Sequence, residues 1–199
     1  RWLLQEEALL LGATRDPRLA KLNQTAPDVA LSPHPGMSGD ASLTIGNAER
    51  RSIDVVFPVL HGPMGEDGSV QGLLELAGVP YVGSGVLGSS VGMDKDVMKR
   101  LLKEAGLPLV PHVVIRRSAW DRDRAAVIAS CAALGDVVFV KPANLGSSVG
   151  ISRVKKPDGD LASAIEHAFE FDAKVVVEAG LDRPREIECA VLGDDDAIS

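Results

Sequence analysis

Two rhythms of apolar and polar positions run along this chain, one of two residues and one of between three and four. Short β-branched runs, some alternating, read as strands at residues 53–60 (IDVVFPVL, with Pro58 near its end), 79–82, 113–116, 137–141, 151–154, 174–178 (KVVVE) and 186–192. The longer period predicts helices at residues 69–77, 94–105 (DKDVMKRLLKEA), 121–134 and 161–171. Asp94 fits an N-cap, Gly106 and Pro108 end that helix, and Gly135 closes the next. Residues 1–11 are apolar and fit a strand end or a short helix. Residues 12–51 hold Pro17, Pro27, Pro33 and Pro35 without a sustained period and read as loop with short strand pieces. Gly193-Asp194-Asp195-Asp196 is a turn signal. Strands alternate with helices, so the expected class is α/β. The glycine- and serine-rich stretch 83–92 (GSGVLGSSVG) reads as a flexible domain junction.

Composition changes this picture in few places. The 199 residues fit one large domain or two small ones, and with 4% aromatics the core must be aliphatic. Glycine, at 20 of 199, exceeds the usual share of about 7% and concentrates at residues 62–92 and 146–150. A net charge of −7 argues against a broad nucleic-acid surface, yet two or three placed lysines suffice for a nucleotide. Cys131 and Cys189 lack CxxC partners, which sets a reduced intracellular environment as the default. No run approaches the 18 apolar residues of a membrane span, and no signal peptide is visible. The chain starts at Arg1 without methionine and stops at Ser199, and both ends read as cut.

The chemistry concentrates at residues 139–150, FVKPANLGSSVG. A strand runs into Lys141, a loop of small residues follows, and a second strand returns. Such a turn can fold over a phosphate and offer backbone N–H and hydroxyl donors. Lys141 is costly to bury unless paired, with a phosphate or with a carboxylate such as Glu178. Ser147 and Ser148 are either turn-formers or donors to a ligand. Lys95 stands at a helix N-terminus, where the dipole disfavours a cation, so its position is more natural beside an anion. Glu178 ends a strand of valines and is either a solvated end or an acceptor for an amino group or hydroxyl; Glu186 and Glu188 open the next strand. His61-Gly62-Pro63-Met64-Gly65-Glu66-Asp67-Gly68 follows an expected strand, where α/β sheets place ligand loops. Its plainer reading is a polar turn capping a helix at Asp67 or Ser69. Residues 83–88 match GxGxxG, but without a strong preceding strand or the required acid a dinucleotide fold is disfavoured. The P-loop pattern GxxxxGK[ST] is absent.

In order, HGPMGEDGSVQGLLE, PYVGSGV, MDK, FVKPANLGSSVGISRV, VVVE and REIECAVLG resemble the D-alanine–D-alanine ligases of the ATP-grasp superfamily, over residues 53–192. The resemblance implies an N-terminal Rossmann-like (pre-ATP-grasp) domain at 1–88, a central α+β ATP-grasp domain at 89–180 and the start of a C-terminal domain at 181–199. It implies ATP-dependent ligation of two D-alanines through an acyl phosphate, for peptidoglycan synthesis, by a cytoplasmic homodimer with no nucleic-acid or membrane partner. Lys95 and Lys141 would contact phosphates. Residues 146–149 would form the mobile loop, with Ser147 bridging to the substrate and Ser148 and Val149 over the phosphates. Phe139 would pack on adenine; Glu178, Ala179 and Leu181 would read its edge, mostly through backbone; Glu186 would hold the ribose. His61 and Glu66 would flank the first D-alanine. The Asp182-Arg183-Pro184 insert and Arg185 depart from shorter relatives. The Mg2+ (or Mn2+) ligands, the lid and the second D-alanine's site are expected after Ser199, and a glycine-rich segment before Arg1. A polypeptide ending at Ser199 is therefore expected to be inactive by itself. A D-lactate or D-serine ligase, an ATP-grasp enzyme of other specificity and a non-catalytic nucleotide-binding module are the alternatives.

Overall fold

The computed structural model describes residues 2–5, 24–31, 42–46, 49–156, 159–194 and 196–199. The readings for residues 6–23 and 32–41, and for Asp195, lie outside the described residues. The chain divides into two compact units, Arg1–Met98 and Lys99–Ser199. No helix among the described residues is long and apolar enough to cross a membrane.

In the first unit, β1 (Trp2–Leu3), β2 (Asp28–Leu31), β3 (Ser42–Ile45) and β4 (Glu49–Ser52) form an antiparallel sheet in that order. Three helices follow: α1 (Ser69–Leu76), α2 (Val86–Met93) and α3 (Lys95–Glu104), the last running across the division. Val70 and Leu74, one turn apart on α1, bury against Ala77 and Val79. Asp94 caps α3 as expected, its Oδ1 accepting from the Asp96 and Val97 amides at 3.0 and 3.2 Å.

Residues 53–60 are not the buried strand that their apolar run predicts. Val56 alone bridges, in parallel, to Tyr81, and Val55, Phe57 and Val59 are 56%, 70% and 71% exposed. A β-branched run becomes a buried strand only where neighbours complete its hydrogen bonds, and among the described residues they are missing here. Among the described residues, the same bridge is the one strand pairing made by the expected strand at 79–82. Residues 83–92 are not a flexible junction but contain α2. Ser89 Oγ donates to the Ser84 carbonyl at 3.1 Å, and Ser90 Oγ to the Asp67 and Val86 carbonyls at 2.8 and 2.9 Å. Small residues here satisfy their polar groups locally instead of loosening the chain.

The second unit carries a four-stranded antiparallel sheet in the order β5-β8-β6-β7, with β5 His112–Arg116, β6 Val137–Pro142, β7 Ser152–Lys155 and β8 Lys174–Ala179. The expected helix at 121–134 is broken into α4 (Arg117–Arg122), α5 (Arg124–Ser130) and a 3-10 turn at Ala132–Leu134. Asp123 leaves helical geometry at φ −154° and accepts from the Ala126 amide, so it starts a new helix in the middle of the predicted one. Helix α6 (Leu161–Phe169) completes the layer, its first turn capped by Asp160. The helix layer and one sheet face bury Trp120, Ile165, Val138, Val140, Val175 and Val177, each with no measurable exposure. Fully burying a valine contributes about 1.5–3 kcal/mol, so this apolar layer is the unit's main source of stability. Glu166 ties the layer, accepting from Trp120 Nε1 and Arg117 Nη1 at 2.7 Å each.

Residues 186–192 do not form the expected strand. Leu192 bridges to Ile198, while Ile187 and Val191 are exposed. The apolar alternation is present, but no sheet neighbour among the described residues receives it.

Candidate functional site

Strand alternation assigns the opposite face of the second sheet. On β6, Val138 and Val140 enter the core, so Phe139 and Lys141 point the other way; on β8, Val175 and Val177 enter the core, so Glu178 points to the opposite face as well. Phe139 lies directly opposite Glu178 in the β6–β8 register. Lys141 Nζ donates to Glu178 Oε2 at 2.6 Å, the pairing anticipated from sequence, and lies 5.8 Å from the Phe139 ring centroid. Lys99, on α3, meets the other oxygen: its Nζ stands 3.0 Å from Glu178 Oε1, and both side chains are 9% exposed. Two ammonium groups against one carboxylate leave this cluster of three side chains with one net positive charge. Burial opposes ionisation of Glu178, but Lys141 and Lys99 outweigh it and hold the carboxyl below its ordinary value of 4.5. A largely buried excess cation favours an anion beside it.

The Gly–Ser loop leaves β6 next to this cluster. Its entry is fixed by Asp172, whose Oδ2 accepts from the backbone and side-chain amides of Asn144 at 2.8 Å each, and whose Oδ1 accepts from the Lys174 amide at 3.1 Å. Ser147 and Ser148 take left-handed φ values of 49° and 61°, a conformation that L-residues adopt at a cost. Both are exposed, with Val149. The far end is Gly150, at φ +68°, where a Cβ would lie 2.7 Å from both Phe171 and Pro142. Gly150→Ala is expected to cost about 1–3 kcal/mol through this overlap and the left-handed backbone. Gly146→Ala, which meets nothing within 4 Å, is the control for urea unfolding and should cost less than about 1 kcal/mol.

The structure brings together Phe139, Lys141 and Glu178, with Ala179 following on the same strand. The Ala179 amide is occupied, donating to the Pro111 carbonyl at 2.9 Å. Leu181 is 61% exposed and Glu186 is exposed; neither is held against the cluster. His61, Glu66 and Lys95 belong to the first unit. His61 lines a cleft of about 340 Å3 with Leu60, Met64 and Leu73. The Glu66 carboxylate accepts from the Gly62 amide and so closes its own loop, with His61 Nδ1 4.0 Å from its other oxygen. Asp67 accepts from the Met64 and Ser69 amides at 2.8 and 3.0 Å, as a polar turn does, but the N-cap of α1 is Gly68, with no side-chain cap bond, and not Asp67 or Ser69 as expected. Lys95 opens α3 and is half-buried. Among the described residues, no group of three or more His, Cys, Asp or Glu is placed to hold a metal ion.

Sequence reasoning missed Lys99 and Asp172. Lys99 sits on an amphipathic helix among Lys95, Arg100 and Lys103, and nothing in the pattern marks it as buried. Asp172 directly follows an apolar helix and reads as a turn residue. The signal available for both was three-dimensional: each serves a residue at least 28 positions away.

Two family models match this chain: D-ala D-ala ligase N-terminus over residues 1–84 and D-ala D-ala ligase C-terminus over residues 101–199. D-alanine--D-alanine ligase A of Chromobacterium violaceum is 47% identical over 197 residues, covering 98% of this chain and 52% of that protein. The enzyme of the same name from Bradyrhizobium diazoefficiens is 53% identical over 172 residues, covering 85% and 46%. Among solved structures, the D-alanine-D-alanine ligase of Coxiella burnetii matches with TM-score 0.78 and 34% identity over 99% of this chain and 55% of that one. The VanG D-Ala:D-Ser ligase of Enterococcus faecalis matches with TM-score 0.75 and 34% identity over 98% and 53%. The chain thus spans about half the length of these relatives.

The fold is the mixed α/β one of the ATP-grasp ligases, and the likeness to the solved ligases extends over nearly the whole chain. With its N-terminal and C-terminal family models both matched, this chain belongs to the D-alanine–D-alanine ligase family.

Proposed function

We propose that the protein carrying this chain joins two D-alanines at the expense of ATP. The observation that supports this most is the excess positive charge held by Lys99, Glu178 and Lys141 on one sheet face, beside an aromatic ring and a strained Gly–Ser loop. ATP would supply the phosphoryl group that turns the first D-alanine's carboxylate into a good electrophile. The amine of the second would then attack the acyl carbon, and phosphate would leave.

Each residue has work that fits this reading. Phe139 offers an apolar face to a base, and Glu178 offers acceptor lone pairs to its amino edge. Ala179, Leu181 and Glu186 would continue along the base and ribose. Lys141 and Lys95 would offset charge on the phosphates, where preorganised cations act mainly by positioning and electrostatics. Ser147, Ser148 and Val149 would close over the reacting group and exclude water, which would otherwise hydrolyse an acyl phosphate. His61 and Glu66 would line the side of the first amino acid. Magnesium (or manganese) would neutralise phosphate oxygens when bound; its ligands are proposed outside this chain. The homodimeric state and a cytoplasmic location are carried by the family resemblance.

The test is D-alanine-dependent phosphate release from ATP by the protein carrying this chain, with D-serine and D-lactate offered as second substrates. D-Alanine is the expected preference, because the relatives near 50% identity are named for it. Phosphate release that does not depend on D-alanine would defeat the proposal. Ser147→Ala is expected to lower turnover by about tenfold or more while leaving ATP affinity within about threefold, since its hydroxyl is proposed to act at the substrate step.

A further inference from the structure

The two lysines on Glu178 are not equivalent. Lys99 reaches Oε1 from a helix and is 9% exposed, as Glu178 is. Lys141 reaches Oε2 from a strand end, is 25% exposed and stands over Phe139 at the start of the Gly–Ser loop. Of the two, Lys141 is the one that an arriving phosphate can reach. If it were the sole partner, its turning to the phosphate would strand a buried carboxylate. Such a group protonates or turns away, and in either case it stops being a fixed acceptor.

We infer that Lys99 is a positioning residue of the nucleotide site, a fixed counter-ion that keeps Glu178 ionised and aimed when Lys141 leaves it for a phosphate. The inference rests on the nucleotide reading given above. It divides the labour on this face: Lys141 serves the phosphates, and Lys99 serves the recognition of the base through Glu178. A carboxylate so held accepts a hydrogen bond from the amino group of a 6-amino purine and meets an acceptor at the same position of a 6-oxo purine.

Equilibrium binding of ADP and IDP to the protein that carries this chain tests this, with Lys99→Met, Lys99→Arg, Glu178→Gln and the double variant Lys99→Met/Glu178→Gln. The unsubstituted protein is expected to prefer ADP by about tenfold or more, the scale of one specific hydrogen bond to a charged group. Lys99→Met should reduce that preference below about threefold, and Lys99→Arg, which keeps the charge, should restore most of it. In the Glu178→Gln background, Lys99→Met should change the ADP/IDP ratio by less than about twofold, because the lysine acts through the carboxylate. Lys99→Gln keeps a donor without the charge and gives the same reading where Lys99→Met fails to fold. An unchanged preference in Lys99→Met or Lys99→Gln, or effects that multiply in the double variant, overturns the inference while the nucleotide reading stands. Binding of neither nucleotide by the unsubstituted protein overturns the nucleotide reading, and the inference with it.

Discussion

Glu178→Ala is expected to destabilise the Lys99–Ser199 unit by about 3–5 kcal/mol, the cost of breaking a buried ion pair from one side. The loss is large because of what remains. Lys99 would stay 9% exposed with its partner gone, and Lys141 would face it across the same space. Urea unfolding followed through Trp120, which is fully buried in this unit, should show a lowered midpoint. A loss below about 1 kcal/mol would mean that the cluster is hydrated and contributes as an ordinary surface pair does. The pH dependence carries the same information. Glu178's folded pKa lies below its ordinary value of 4.5, so its stabilisation is complete above that value and is lost as pH falls through the folded one. Stability measured downward from pH 5 should therefore fall less steeply in Glu178→Gln than in the unsubstituted chain.

Lys141→Ala, in the protein that carries this chain, is expected to lower ATP-dependent turnover by about 100-fold or more, the scale on which one preorganised charge-stabilising donor acts. ATP affinity should fall with it, by about tenfold, because a phosphate loses its nearest reachable cation. Stability should suffer less than in Glu178→Ala, since Glu178 keeps Lys99 at 3.0 Å. That split between activity and stability separates a ligand-facing lysine from a purely structural one. Steady-state kinetics in ATP beside urea unfolding of the same variant measures it. An unchanged KM for ATP and an unchanged kcat would remove Lys141 from the site.

Much of the site was legible because strands are periodic. The run VVFVK puts Val138 and Val140 on one face and Phe139 and Lys141 on the other, and KVVVE does the same for Val177 and Glu178. The Lys141–Glu178 pair follows once the two strands are taken as neighbours. The rule that a lysine at a strand end needs a partner supplied that step. Other features were illegible for stated physical reasons. Whether residues 53–60 pair depends on neighbours distant in sequence. Asp123 breaks a periodic helix because its side chain serves as a cap. The segment 83–92 has the composition of a linker, yet its serines bond to nearby carbonyls and it forms a helix. Lys99 carries no sequence mark because exposed and buried lysines look alike on a charged helix. The left-handed φ values of Ser147 and Ser148 fit the loop inferred from composition, but they are properties of the folded backbone.

ATP is proposed to sit on the face formed by Phe139, Lys141 and Glu178. An acyl-phosphate derivative of ATP, which transfers its acyl group to a lysine beside the phosphates, reports this directly when the labelled peptide is sequenced. Acylation of Lys141 that excess ATP prevents and excess GTP prevents poorly is the predicted result. Labelling confined to surface lysines such as Lys103 or Lys155, with or without ATP, would contradict it.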